Sequence, residues 1–124
     1  MATQPAPRPH KSVSPMRIPK LTDAVTRITA GTSATPDVTY RVTGKHIMVV
    51  QLEASASAAG TVSILGSIDQ DEDSAVFPIV ESVGVSASSV HLRWFADMPL
   101  HLIRISLGGV VAGTVTVKTT EADF

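Results

Sequence analysis

From about residue 21 onward, apolar and polar residues alternate along this chain with a period of two. Successive side chains of a strand point to opposite faces, so this period predicts strands with one buried and one wet side. Residues 24–30 (AVTRITA) set Val25 apart from Arg27, and residues 37–42 (DVTYRV) alternate Val38, Tyr40 and Val42 with Thr39 and Arg41. Residues 45–54 (KHIMVVQLEA) are apolar through their middle, which predicts a central strand covered on both faces. Further strands are predicted over residues 61–68 (TVSILGSI), 75–80 (AVFPIV), 90–95 (VHLRWF), 100–107 (LHLIRISL) and 113–119 (GTVTVKT). Helical spacing is absent. About eight short antiparallel strands of this kind make an all-β domain, a β-sandwich, jelly roll or barrel.

The punctuation supports that reading. Gly31, Gly44, Gly60, Gly84, Gly108, Gly109 and Gly113 are expected between strands, where the chain must turn tightly. Gly66 falls inside a strand pattern and predicts a bulge or a close backbone approach. Pro78 removes a ladder donor and predicts an edge or broken strand.

Composition narrows the core. Of the 124 residues 44% are hydrophobic but only 4% aromatic, so Val, Ile, Leu and Ala must fill the interior of a single domain. No apolar run is long enough for a membrane-crossing helix, and the N-terminal stretch lacks the apolar centre of a secretory signal. With no cysteine there is neither a disulfide nor thiolate chemistry, as suits folding in a reducing cytoplasm.

Charge divides the chain into two parts. Arg8, Lys11, Arg17 and Lys20 all precede the first acidic residue, Asp23, while the rest carries six Lys/Arg against eleven Asp/Glu. Five of the eight prolines (Pro5, Pro7, Pro9, Pro15 and Pro19) share the basic stretch and favour extended chain. Residues 1–22 therefore read as an extended basic arm and residues 23–124 as the β domain. The four arm cations are the candidate partner-binding residues, suited to an acidic or groove-bearing protein surface. Nucleic acid is a weaker candidate, because the arm has no aromatic residue to stack a base and the body is acidic.

Candidate chemistry is sparse. Asp69, Asp71, Glu72 and Asp73 follow the strand over residues 61–68, and Asp69-x-Asp71-x-Asp73 opens like a calcium loop. Ser74 then stands where such a loop needs glycine and Val80 where it needs the bidentate glutamate, so a solvated hairpin tip is the simpler reading. Neighbouring carboxylates on one turn do not face each other across a cleft, as glycoside hydrolysis requires. His10, His46, His91 and His101 show no paired ligand spacing, and there is no G-x-S-x-G turn or glycine-rich phosphate loop. We therefore expect no enzyme activity, no catalytic or metal residues and no cofactor. In residues 90–107, Val90, Leu92 and Trp94 share one strand face, expected to be the core face, with His91, Arg93 and Phe95 on the other. Arg93, Trp94 and Phe95 form a candidate subunit interface, since an exposed aromatic beside arginine has hot-spot composition.

The order GTVSILGSIDQDED (60–73), LHLIRISL (100–107) and GTVTVKT (113–119) resembles small structural proteins of tailed bacteriophages. The resemblance spans roughly residues 38–119. Gln70 and Asp71 stand where such proteins often carry glycine, asparagine and tryptophan. The resemblance implies a virion component made in the host cytoplasm, and with the arm a capsid decoration or cement protein. Its partners would be the major capsid protein or other virion proteins and further copies of itself, as a trimer or dimer. A neck, tail or baseplate component is the alternative within the class. A carbohydrate-binding β-sandwich module using Trp94 or Tyr40 as a stacking platform is the alternative outside it.

Overall fold

A computed structural model describes residues 20–21, 23–42, 47–96 and 100–123. The described chain is all β, with strands β1 (Lys20–Leu21), β2 (Val25–Gly31), β3 (Val38–Arg41), β4 (Ile47–Ala54), β5 (Ala59–Ser67), β6 (Ile79–Val85), β7 (Val90–Ala96), β8 (Leu102–Ala112) and β9 (Val115–Asp123). They form two antiparallel sheets. The first runs β9-β4-β7, with β1 and β2 following one another along the outer edge of β9; the second runs β3-β8-β5-β6. From β2 on, each strand crosses to the opposite sheet except at the β5–β6 hairpin. That winding makes a jelly roll, and it resolves the choice left open among sandwich architectures.

Alternation builds the core. Val50 and Leu52 of β4, Val62 and Ile64 of β5, Ile105 of β8 and Val115 and Val117 of β9 are fully buried between the sheets. Each such side chain contributes about 1.5–3 kcal/mol by leaving water. Tyr40 is the buried aromatic among the described residues, as the low aromatic content foreshadows.

Several strand boundaries and faces differ from expectation. The centrally placed β4 buries Met48, Val50 and Leu52 but leaves Ile47, Val49, Gln51 and Glu53 half-buried on its other face. It is therefore not covered on both sides. Its apolar run reflects an outer surface that β7 and β9 side chains only partly shield. The sixth strand begins at Ile79 rather than at residue 75, because Pro78 has no N–H for the ladder; its carbonyl instead accepts the Gly66 N–H at 3.0 Å. It is an edge strand, as expected of a segment carrying Pro78. Gly66 is approached closely by side chains and not by another backbone: an added Cβ would lie 2.6 Å from Leu100 Cδ1.

Gly60, Gly84, Gly108 and Gly109 lie within strands, not between them. For Gly60, Gly108 and Gly109 the reason is visible where β5 meets β8. Two register shifts, between Ala59 and Gly60 and between Thr61 and Ser63, give β8 an extra residue each time. At the first bulge Gly60 has φ 125°, and a Cβ there would stand 2.3 Å from the Gly109 carbonyl oxygen.

Candidate functional site

The two outer faces of the sandwich are treated differently by the chain. Over the β3-β8-β5-β6 sheet, the connection at residues 68–78 is drawn down by two arginines. Arg41 Nη2 donates to the Gln70 carbonyl at 2.7 Å. The Arg104 guanidinium lies 3.9 Å from the Phe77 ring centroid while its Nε donates to Thr39 Oγ1 at 2.8 Å. Cation–π contact of this kind attaches a loop to a sheet without a buried apolar anchor.

That loop contains the acidic run, in which the Asp69 and Asp71 carboxylates are turned onto the backbone. Asp69 Oδ2 accepts from the Val76 N–H at 2.9 Å and from Ser67 Oγ at 3.2 Å, and Asp71 Oδ1 accepts from the Asp73 N–H at 3.0 Å. These are local turn contacts. Among the described residues no three His, Cys, Asp or Glu side chains stand together as metal ligands. The cluster sits on the β5–β6 hairpin connection, as its composition suggests.

The outer face of the β9-β4-β7 sheet carries a row of exposed apolar side chains on one strand. Here Val90, Leu92 and Trp94 of β7 are 66%, 47% and 65% exposed, which reverses their expected placement in the core. His91, Arg93 and Phe95 point toward the interior, where Phe95 packs against the core. Both parities of this strand carry apolar side chains, so its period could not say which face would be buried; the pairing with β4 decides it. Phe95 is accordingly removed from the exposed candidate interface, and Trp94 is its aromatic.

Beside this row lies a hollow of about 350 Å³ lined by Ala24, Val49, Gln51, Leu92, Lys118 and Thr120. Its floor is the β4–β7–β9 surface, with Val49 opposite Trp94 and Gln51 opposite Leu92 in the register. Polar groups border it. Glu53 Oε2 accepts from Lys118 Nζ at 2.9 Å and from Gln51 Nε2 at 2.8 Å. The bond from Lys118, then that from Gln51, holds the Glu53 carboxyl below its ordinary pKa. At the open side of the sandwich Arg93 Nε meets Glu81 Oε2 of β6 at 3.3 Å, closing the gap between the two sheets.

A third cluster lies between β2 and β3. The Arg27 guanidinium stacks 3.9 Å over the Tyr40 ring and donates through Nε to Thr119 Oγ1 at 2.8 Å, while Tyr40 Oη donates to Met48 Sδ at 3.4 Å. Burial pushes the Tyr40 phenol up to about 12, against the opposing pull of Arg27. This buried ring has no face to offer a sugar, so it is not the stacking platform considered for a carbohydrate module. It fastens the edges of the two sheets together.

Of the arm candidates, Arg8, Lys11 and Arg17 lie outside the described residues. Lys20 falls in β1, opposite Asp123 of β9, so the last residues of the expected arm already belong to the sheet. His10, His46 and the turn at residues 97–99 also lie outside the described residues. His91 Nε2 is 3.1 Å from Ser89 Oγ, and His101 is exposed.

No known protein family and no curated protein matches this chain. Among solved structures, the chain is similar to the SPBc2 prophage-derived protein YomS, with a TM-score of 0.62 and 19% identity, over 86% of this chain and 96% of that one. The two proteins share a fold.

Proposed function

We propose that this protein is a non-enzymatic structural component of a bacteriophage particle, and within that class a decoration or cement protein of the capsid. The likeness to a prophage-derived protein over nearly that protein's whole length is the observation that carries the phage reading. The particle role draws on the division of labour in the chain. A jelly-roll body presents a row of exposed apolar side chains on β7, and a basic, proline-rich arm enters the body at β1, beside the end of β9. Such an arm reaches an acidic neighbouring surface while the body occupies another, and two linked weak contacts bind more tightly than either alone. Arg8, Lys11, Arg17 and Lys20 supply the attraction.

The test is co-sedimentation of the full chain with phage heads and with tails that lack it, beside a variant without residues 1–19. Saturable binding to heads that falls at least tenfold in the truncated, still folded protein supports the reading. Binding to tails alone moves the protein to the neck, tail or baseplate. Binding to neither overturns the virion role. Because Trp94 is exposed on an open sheet face, a glycan-binding module is the second reading; glycan binding lost in Trp94→Ala would establish it.

A further inference from the structure

A sandwich has four sheet edges, and each is a row of unpaired backbone groups unless something blunts it. Three are blunted here. The β3 edge is four residues long; β6 carries a register shift near Ile79 and is preceded by Pro78; β2 is broken by two register shifts along β9. The β7 edge is different. Its register with β4 runs unbroken from Val90 to Ala96, it contains neither Pro nor Gly, and among the described residues no further strand pairs with it.

The free backbone groups on that edge can be assigned. The Ala54 N–H donates to the Ser89 carbonyl, and Ala54 lies one step beyond the Glu53–Val90 pair. Hydrogen-bonded and open pairs alternate along an antiparallel ladder, so His91, Arg93 and Phe95 turn their N–H and C=O groups toward β4. Those of Val90, Leu92, Trp94 and Ala96 point away from the sheet. The residues with free backbone are thus the same ones whose apolar side chains are exposed. One partial cap exists: Arg93 Nη1 donates to the Leu92 carbonyl at 3.2 Å while its Nε pairs with Glu81 at 3.3 Å, so a partner strand must displace this one contact to use that carbonyl.

We propose that two copies of this chain join edge to edge through β7, about a twofold axis normal to the sheet, making one continuous sheet across the dimer. The occupant is argued from parity. Under such an axis a residue meets one of the same parity in the other copy, and only even-numbered residues here have free hydrogen-bonding groups. In every allowed register, then, Val90, Leu92 and Trp94 face the same apolar row of the other copy, and the interface is self-complementary as closed symmetry requires. A strand from an unrelated protein would have to supply that match of apolar row to free backbone row independently.

Light scattering on the purified full chain tests this without any phage particle. The expected mass at about 100 μM is twice the 13.0 kDa of the chain, falling toward one chain on dilution. Leu92→Pro removes an outward N–H and no internal ladder bond, and should leave a folded monomer. Leu92→Lys keeps the backbone and places a charge on the edge, so it covers the case in which proline disturbs folding; it should weaken association at least tenfold. A monomeric wild-type chain, a trimer, or a dimer that persists in folded Leu92→Lys would overturn the proposal. So would a dimer lost only on deleting residues 1–19, which would assign association to the arm.

Discussion

Substituting Gly60 and Gly84, each by alanine, separates the jelly roll's bulge geometry from ordinary strand propensity. Both glycines lie in paired strands of the same sheet and face each other's neighbours across the β5–β6 ladder, where Gly60 opposes Val85 and Thr61 opposes Gly84. At Gly60 the backbone has φ 125°, and a Cβ would meet the Gly109 carbonyl oxygen at 2.3 Å, Val110 Cα at 2.7 Å and the Val111 nitrogen at 2.8 Å. All three are backbone atoms of β8 and cannot rotate out of the way. A disfavoured positive φ costs about 1–3 kcal/mol, and separating β5 from β8 sacrifices ladder hydrogen bonds worth about 1 kcal/mol each. Gly60→Ala should therefore destabilise by roughly 3 kcal/mol or more, a fall in Tm of about 12 °C for a domain of this size. At Gly84 a Cβ meets nothing within 4 Å, so Gly84→Ala should be neutral or gain about 0.4–1 kcal/mol by narrowing the unfolded ensemble. Urea and thermal unfolding followed by circular dichroism read both. Equal effects, or a Gly60→Ala protein within about 1 kcal/mol of wild type, would refute the assignment of Gly60 to an obligatory close approach.

Two further outcomes test the clusters around the core. Tyr40 is the only tyrosine, so absorbance near 295 nm reports it alone. Because its folded pKa is raised, the associated stability is complete below the ordinary value of 10.0 and is lost as pH climbs toward about 12; the phenol should ionise only with cooperative unfolding in that window. Gradual ionisation near pH 10 with the fold intact would contradict its burial. Arg104→Ala removes the contacts to Phe77 and Thr39, and should raise amide exchange about tenfold or more over residues 68–78 while leaving β4 and β9 protected. Unchanged exchange in that connection would mean that Arg41 and Asp69 suffice to hold it.

Much of this architecture was legible in the alternation of residues such as Val38 and Tyr40, or Val62 and Ile64, because one-sided burial imposes period two on a strand. Period alone does not assign a face. In β7 the even positions carry Val90, Leu92 and Trp94 and the odd positions include Phe95, and only the register against Met48 and Val50 sends the odd set inward. Nor does it separate a glycine that ends a strand from one that permits a bulge within it, since both are chosen for what a Cβ would hit; Gly60, Gly108 and Gly109 were misplaced for that reason. The low aromatic content correctly foretold an aliphatic core. The acidic run at residues 69–73 was legible as a hairpin connection, but its attachment through Arg41 and Arg104 was not, because those partners come from distant strands. Among the described residues a loop overlies one outer surface and none overlies the face around Leu92, a difference set by the fold and not by the period of the sequence.

The pairing of Lys20 with Asp123 brings the two ends of the described chain to one corner of the sandwich. Tension applied between them acts across the β1–β9 ladder from its open end, so the hydrogen bonds break in succession, as in a zipper, at low force. Tension between the arm and the β7 edge passes through that same two-residue β1–β9 ladder before it reaches β4 and β7, and the ladders carry it in series. A protein tethered by its arm on one side and by β7 on the other would therefore release β1 first, lengthening the tether while the long β4–β9 and β4–β7 ladders stay closed.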